Sequence, residues 1–176
     1  SVPAPLRRRV EVLTHGIDLE AARSHRAERE PARAELGLTE RDVLVLTVAH
    51  LRVEKGYDVL LRAARDVVDR HAEVVFASVG HGPLEDELRR AHARSGLGGR
   101  FRFLGFRPDV GRLLAAADVF CLASRQEGLP VAFMEATAMG VPTVATAVGG
   151  LVDHVREGPD SPGVLVPPDD PAALGA

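Results

Sequence analysis

The 176-residue sequence is poor in several residue types on which common chemistry depends. It has one cysteine, no tryptophan and one tyrosine, and Lys55 is the only lysine among its 22 Lys and Arg residues. A disulfide framework is excluded because it needs at least two cysteines. Cys121 lies in an apolar run, which is typical of a buried structural thiol.

Long hydrophobic runs and strong charge are also absent. No apolar run approaches the roughly 18 residues of a membrane span, and no signal-peptide pattern opens the chain. The net charge of −3 argues against a general nucleic-acid binder. These features predict a cytoplasmic protein without a nucleic-acid partner.

The rest of the composition is that of one compact domain, since 45% of the residues are hydrophobic and 27% are charged. Apolar runs typical of buried strands alternate with stretches of helical periodicity at the spacing of βαβ units. We therefore predict an α/β domain with a doubly wound parallel sheet. The predicted strands are residues 43–49, 74–79, 101–105, 118–123, 143–147 and 163–166.

Two segments outside this alternation also have a predicted structure. Residues 10–13 alternate weakly, as a strand does. Residues 19–36 are rich in Ala, Arg and Glu, and we expect two helical pieces with a break at Pro31. After Gly149 and Gly150 we expect a short helix to about Glu157.

The stretch from Ala123 to Gly140 carries the most informative pattern. It places Glu127 on a loop after a strand and Glu135 on the next helix, which Pro130 opens and Gly140 ends. The first N–H groups of such a helix are unpaired and can hold a phosphate. Taken alone, the two glutamates favour a capping residue and a solvated residue on the helix face over a ligand site.

Three further loops follow predicted strands, where the ligand crevice of a doubly wound sheet lies. Residues 50–56 contain Lys55, whose compact ammonium suits a point contact to phosphate. Residues 80–83, Gly-His-Gly-Pro, are half of a dinucleotide fingerprint without its third glycine or its acidic residue, so a nicotinamide enzyme is poorly supported. Residues 105–109 form the last loop.

Together these motifs resemble those of family 4 retaining, nucleotide-sugar-dependent glycosyltransferases. Residues 127–136, E-G-L-P-V-A-F-M-E-A, match the family's E-x7-E signature, and A-x-G-x-P and Gly-Gly follow. Residues 50–56 resemble its G-R-L-x-x-E-K-G loop, and residues 14–18 resemble its P-N-G-V-D linker. The resemblance implies a Rossmann-like domain, the C-terminal half of a GT-B enzyme.

The resemblance also implies roles for individual residues. Glu127 would face the donor sugar, Lys55 would contact the diphosphate, and Glu135 would accept hydrogen bonds from the ribose hydroxyls. His50 occupies the position of the family's arginine and Arg52 lies two residues later, so either could supply the second cation. The implied backbone contacts to the sugar and phosphates are the N–H groups of Gly128, Leu129, Val131 and Ala132.

The nucleotide would extend over the two remaining loops. By resemblance, Gly80 lines the nucleotide site, and backbone groups of Phe106 and Arg107 recognise the base. Asp109 is expected to cap a helix instead.

The implied reaction transfers a hexose from a nucleoside diphosphate to an acceptor hydroxyl. Developing charge on the leaving diphosphate must be stabilised. The sequence has no D-x-D motif for a metal, so Lys55, Arg52 and the helix terminus would act in its place, with Glu127 as the third catalytic residue. We expect no metal and no cofactor besides the nucleotide-sugar substrate.

The resemblance covers half of a complete enzyme. Residues 1–18 would be the interdomain linker and residues 19–176 the donor-binding domain. The acceptor-binding N-terminal domain would be absent, and any peripheral membrane association would come from it. This half should bind nucleotide and not catalyse transfer alone. Three alternatives are half of a nucleotide-sugar epimerase, half of a sugar phosphorylase, and a non-catalytic nucleotide-binding domain.

Overall fold

A computed structural model describes residues 16–155, 158 and 161–176. The predicted strand at residues 10–13 and the start of the predicted linker lie outside them. Six parallel strands form one sheet in the order β3-β2-β1-β4-β5-β6. The strands are β1 Val43–Val48, β2 Val74–Val79, β3 Phe101–Gly105, β4 Val119–Leu122, β5 Thr143–Thr146 and β6 Gly163–Val166. This confirms the predicted parallel α/β fold.

Helices cover both faces of the sheet, as the alternation of elements predicts. Leu44 and Leu46 pack into one core with helices α2, α5 and α6, whereas Val43 and Val45 face the core beneath α3. The helices are α1 Leu19–Ser24, α2 Arg29–Glu35, α3 Tyr57–Arg70, α4 Glu85–Ser95, α5 Val110–Ala116, α6 Val131–Ala138, α7 Leu151–His154 and α8 Pro171–Leu174. No helix in the described part is long and apolar enough to cross a membrane.

Cys121 is a structural thiol, as predicted. Its side chain is buried in the core beneath α3, and burial raises the pKa of the thiol to about 12. A thiol with that pKa is almost wholly protonated at neutral pH, and the thiolate is the reactive form. Cys121 therefore contributes apolar packing only.

The predicted break at Pro31 is wrong. The chain leaves α-helical geometry earlier, in a 3-10 turn at His25–Glu28, and Pro31 is the third residue of α2. Proline is tolerated there because the first N–H groups of a helix have no partner within it. The predicted helix to Glu157 also ends earlier, at His154, and Glu157 lies outside the described residues.

A guanidinium cluster ties the N-terminal helices to the sheet. Arg33 is buried and donates to Asp118 Oδ2 at 2.9 Å, and Arg29 donates to the same carboxylate. Although burial opposes it, the bonds from Leu44 N–H and from the two arginines lower the pKa of Asp118. The first helices therefore belong to the same packed unit as the sheet.

The strand order reverses between β1 and β4, which are neighbours in the sheet. This is the order of the Rossmann fold, and ligands of such sheets bind at the carboxyl ends of the strands beside this switch point. The loop of Lys55 follows β1 and the loop of Glu127 follows β4. Both loops therefore flank the expected crevice.

Candidate functional site

Lys55 and Glu127 form an ion pair at the switch point. Lys55 ends the 3-10 turn Val53–Lys55, and its Nζ lies 2.8 Å from Oε1 and 2.7 Å from Oε2 of Glu127. Ser124 Oγ donates to Glu127 Oε1 at 2.6 Å. The Glu127 side chain is only 6% exposed and that of Lys55 is 21% exposed. The carboxylate is thus held in one orientation, with the ammonium above it reaching solvent.

Glycines allow the loops that carry this pair to pack backbone against backbone. Gly56 has φ 62°, and a Cβ on it would overlap the carbonyl oxygen of Ala123. Gly149 has φ 55°, and a Cβ there would overlap the carbonyl oxygen of Glu127. Gly150 N–H donates to Gly128 O at 2.8 Å. The backbone of Glu127 therefore lies against the Gly149-Gly150 turn.

Helix α6 points its N-terminus towards the same loop. Pro130 precedes the helix in the N-cap position, and the first helical bond runs from Met134 N–H to Pro130 O at 3.3 Å. Within the described residues, no acceptor pairs with the N–H groups of Gly128, Leu129, Val131 or Ala132. Such unpaired N–H groups favour an anion, as the sequence predicts.

Glu135 lies one turn further along α6, beside a separate cavity. The cavity measures about 300 Å³ and is bounded by α1, the start of α5 and the middle of α6. Burial raises the pKa of the Glu135 carboxyl, and the nearby His25 opposes this effect. The lining residues are Asp18, Ala21, Ala22, His25, Pro108, Val110, Gly111, Glu135 and Met139.

We expect Glu135→Gln to have opposite effects on stability and on ligand binding. The effect on stability follows from the raised pKa of Glu135. The folded state holds this proton more tightly than the unfolded chain, so charging Glu135 destabilises the fold as pH rises through the folded pKa. We expect Glu135→Gln to be more stable than wild type at pH 7 and to lose this advantage below pH 4.

The same variant should bind nucleotide more weakly. Glutamine keeps a neutral acceptor oxygen, and a neutral hydrogen bond contributes about 1 kcal/mol where one to a charged group contributes about 1.5–3 kcal/mol, so we expect binding to weaken by roughly severalfold. Chemical denaturation at both pH values and calorimetry measure the two effects. Equal stability of both proteins at pH 7, or unchanged affinity, would contradict the role of Glu135.

His50 and Arg52 lie at different places in the crevice, and neither touches the Lys55–Glu127 pair. The His50 ring packs edge-on to His81, with centroids 5.4 Å apart, and its Nδ1 lies 3.3 Å from His81 O. The Arg52 side chain is 58% exposed and lies 3.9 Å from Glu54. The geometry thus places His50 on the side of β2 and Arg52 at the outer rim beside α3.

Gly80, Phe106 and Arg107 come together at the ends of β2 and β3. Gly80 N–H donates to Gly105 O at 2.8 Å, and the exposed Phe106 ring packs edge-on to His81. In the described part of the chain, no hydrogen bond involves the backbone groups of Phe106 or Arg107. They remain available to a ligand.

Asp109 occupies the N-cap position of α5, as predicted, but its carboxylate does not make the capping hydrogen bond expected there. Instead it accepts two hydrogen bonds from Arg107, at 2.8 and 2.6 Å. Both groups of this bidentate pair are charged, whereas in a capping bond to a backbone N–H only the carboxylate would be.

Two residues beside the ion pair had not been predicted from the sequence. Ser124 binds Glu127, and Arg125 reaches the loop of Lys55. In the sequence, the only indication of a role for these two residues is their position between a buried strand and Glu127. Among residues 16–155, 158 and 161–176, no cluster of three or more His, Cys, Asp or Glu side chains is arranged to hold a metal ion.

The fold defines a doubly wound, Rossmann-like α/β domain. The sequence profile of the family described as "Glycosyl transferases group 1" matches residues 42–176. The chain therefore belongs to this family. Its fold is that of the C-terminal domain of GT-B glycosyltransferases.

Individual relatives agree with this assignment. The chain is 32% identical over 168 residues to 2-deoxystreptamine glucosyltransferase of Streptomyces kanamyceticus, covering 94% of this chain and 43% of that protein. The structure of Anabaena HepE with UDP and glucose superposes with a TM-score of 0.84 at 28% identity, over 94% of this chain and 45% of HepE.

One similar structure is itself an isolated domain. The C-terminal domain of LpcC, a glycosyl transferase group 1 family protein from Francisella tularensis, has a TM-score of 0.72 at 19% identity. The match covers 84% of this chain and 78% of that domain, and it shows the fold alone. Against curated relatives, the chain spans less than half of their length.

Proposed function

We propose that this chain is the donor-binding half of a retaining, metal-independent glycosyltransferase. The observation that carries the proposal is the Lys55–Glu127 pair, which lies at the switch point beside the free N–H groups of α6. Positive charge and unpaired donors at one place suit a diphosphate, and a fixed carboxylate next to them suits the hydroxyls of a sugar. A donor molecule contains both groups.

Lys55 can serve both partners at once. An ammonium has three N–H donors, and Glu127 accepts two of them. The third remains for a phosphate oxygen. As the sugar leaves, charge grows on the diphosphate, and Lys55 with the α6 N–H groups stabilises it where a metal ion would otherwise act.

The nucleoside fits the cavity beside Glu135. The cavity, of about 300 Å³, is lined by Glu135 of α6 and by Pro108, which follows Phe106 and Arg107 in the chain. We assign the ribose hydroxyls to Glu135 and the base to the backbone groups of Phe106 and Arg107. UDP is the first candidate, because the similar HepE was solved with UDP.

The acceptor is assigned to another domain. The chain corresponds to 43% of the length of the Streptomyces glucosyltransferase and to 45% of HepE. We propose that residues 1–18 lead from an acceptor-binding domain into this one. Transfer then needs both domains, whereas donor binding needs only this one.

Calorimetric titration with UDP, GDP and ADP and their hexose conjugates tests this proposal. We expect one nucleotide series to bind, with the same affinity in buffer containing EDTA. Affinity that disappears with EDTA would contradict metal independence. A full-length enzyme that inverts the anomeric centre, observed by NMR of the product, would contradict the retaining mechanism.

A further inference from the structure

Arg125 connects the loop of Glu127 to the loop of Lys55. It lies just beyond β4, and its backbone N–H donates to Glu54 O at 2.8 Å. Its Nη1 donates to Val53 O at 2.9 Å. These two carbonyl groups belong to the turn that ends at Lys55. One residue thus fixes that turn through both its backbone and its side chain.

The guanidinium of Arg125 also binds two carboxylates from different elements. It forms a bidentate pair with Asp58 of α3, with both bonds at 2.8 Å, and Nε donates to Asp169 Oδ1 at 2.7 Å. Asp169 lies in the loop after β6. Arg125 therefore joins the loops that follow β1, β4 and β6 at the carboxyl edge of the sheet.

The backbone of Asp169 supports a specific role for this contact. With φ 58°, it is the one non-glycine residue of the described chain in the left-handed region. That conformation is unfavourable for most side chains, although aspartate tolerates it better than others. In this structure, the residue with this backbone conformation is also the one that accepts a hydrogen bond from Arg125 Nε.

The contacts of Arg125 fix geometry more than they stabilise the fold. Asp58 and Asp169 are each more than half exposed, and exposed ion pairs contribute little to stability. The planar fork of a guanidinium nevertheless fixes the direction of each partner, which a lysine cannot do. Three of its partners, Val53, Glu54 and Asp58, lie within three residues of Lys55 in sequence, and Arg125 itself is two residues from Glu127.

We propose that Arg125 is a positioning residue, which holds the turn of Lys55 against the loop of Glu127 so that both side chains meet the donor in one fixed arrangement. The expected effect of Arg125 on donor binding rests on the proposed function. The arrangement itself does not depend on a ligand, so it can be measured separately.

The single lysine of the chain provides a direct readout. NMR of protein labelled with ¹⁵N-lysine gives one side-chain ammonium signal, which slow exchange makes visible when the ammonium is held in an ion pair. We expect this signal at low temperature in wild type and its loss in Arg125→Gln. Arg62→Gln is the matched control, because Arg62 also contacts Asp58, at 3.5 Å, without leaving α3.

Binding is measured on the same proteins. We expect the Kd for the nucleotide-sugar to rise roughly tenfold or more in Arg125→Gln, as for the loss of a charged hydrogen bond, and to stay at the wild-type value in Arg62→Gln. Asp58→Asn, which removes the bidentate partner from the other side, should reproduce the effect. Melting temperatures of all variants should stay close to that of wild type.

The outcomes separate the two proposals. An unchanged ammonium signal in both Arg125→Gln and Asp58→Asn would overturn the role of Arg125, whatever the binding data. If the signal is lost as expected but wild type binds no nucleotide-sugar, Arg125 positions Lys55 and the proposed function fails. A signal lost together with the fold, seen as a large drop in melting temperature, would show a structural role only and would also overturn positioning.

Discussion

Replacing Lys55 by alanine is expected to lower turnover of the full-length enzyme by roughly two to three orders of magnitude, which corresponds to about 2.7–4 kcal/mol of transition-state stabilisation. The leaving diphosphate then loses the ammonium and keeps the N–H groups of α6 and the second cation. Steady-state kinetics with the nucleotide-sugar at saturation measures this effect. Turnover close to that of wild type would contradict the assignment.

The structure adds a consequence for stability that sequence alone does not predict. From sequence, Lys55→Ala should have little effect on folding. In the structure, however, the Glu127 side chain is 6% exposed and loses two hydrogen bonds, keeping only that of Ser124. We expect a loss of about 1–3 kcal/mol in the free energy of unfolding. Arg62→Ala, on the exposed face of α3, is the control for both measurements.

Gly149→Ala is expected to damage both the fold and the site. Its φ of 55° is unfavourable for alanine, and the added Cβ would overlap the carbonyl oxygen of Glu127. Strain of this kind typically costs about 1–3 kcal/mol. Because the overlap is with the backbone of Glu127, the loop must move, and we expect nucleotide-sugar binding to weaken as well.

Gly98→Ala separates the two causes. Gly98 has a similar φ of 52°, but a Cβ there has nothing within 4 Å. The loss of stability of Gly98→Ala in urea therefore measures the backbone strain at a positive φ alone. This variant should bind the nucleotide-sugar with the affinity of wild type. A Gly149→Ala variant that is no less stable than Gly98→Ala and binds the nucleotide-sugar with wild-type affinity would show that the close packing of Gly149 against Glu127 does not contribute to function.

Much of the fold could be predicted from the sequence because most strands are short apolar runs and the helix α3 has a clear apolar stripe. The central strand is an example, since Val43 and Val45 face one core and Leu44 and Leu46 the other. The errors fell where local propensity was the only guide. Pro31 suggests a break when taken alone, but its place in the first turn of α2 depends on where the helix begins.

The part of the candidate site that is contiguous in sequence could be predicted. Glu127, Glu135 and the start of α6 lie on a single strand–loop–helix unit, so their relative places follow from secondary structure. Arg125 was missed because its partners, Asp58 and Asp169, are distant in sequence and come together only through the sheet order. In a chain with so many arginines, composition gives no signal for one of them.

The second cation shows a different limit. Sequence offers Arg52 and, as a weaker cation at neutral pH, His50 as alternative candidates, two residues apart after the same strand. In the structure the two side chains have different surroundings, since His50 packs against His81 and the exposed Arg52 lies near Glu54. The sequence pattern does not specify these partners. We propose His50 as the candidate nearer to the nucleotide, because it lies next to the Gly80 and Phe106 loops.

The measurement that tests the central claim most directly compares the affinities of a nucleoside, its diphosphate and its diphosphate-sugar for wild type, Lys55→Ala and Glu135→Ala. The account predicts that Lys55→Ala weakens the diphosphate and diphosphate-sugar and leaves the nucleoside unchanged, whereas Glu135→Ala weakens all three. Equal losses for every ligand in both variants, or no loss in either, would contradict a donor site in which Lys55 holds the diphosphate and Glu135 the ribose.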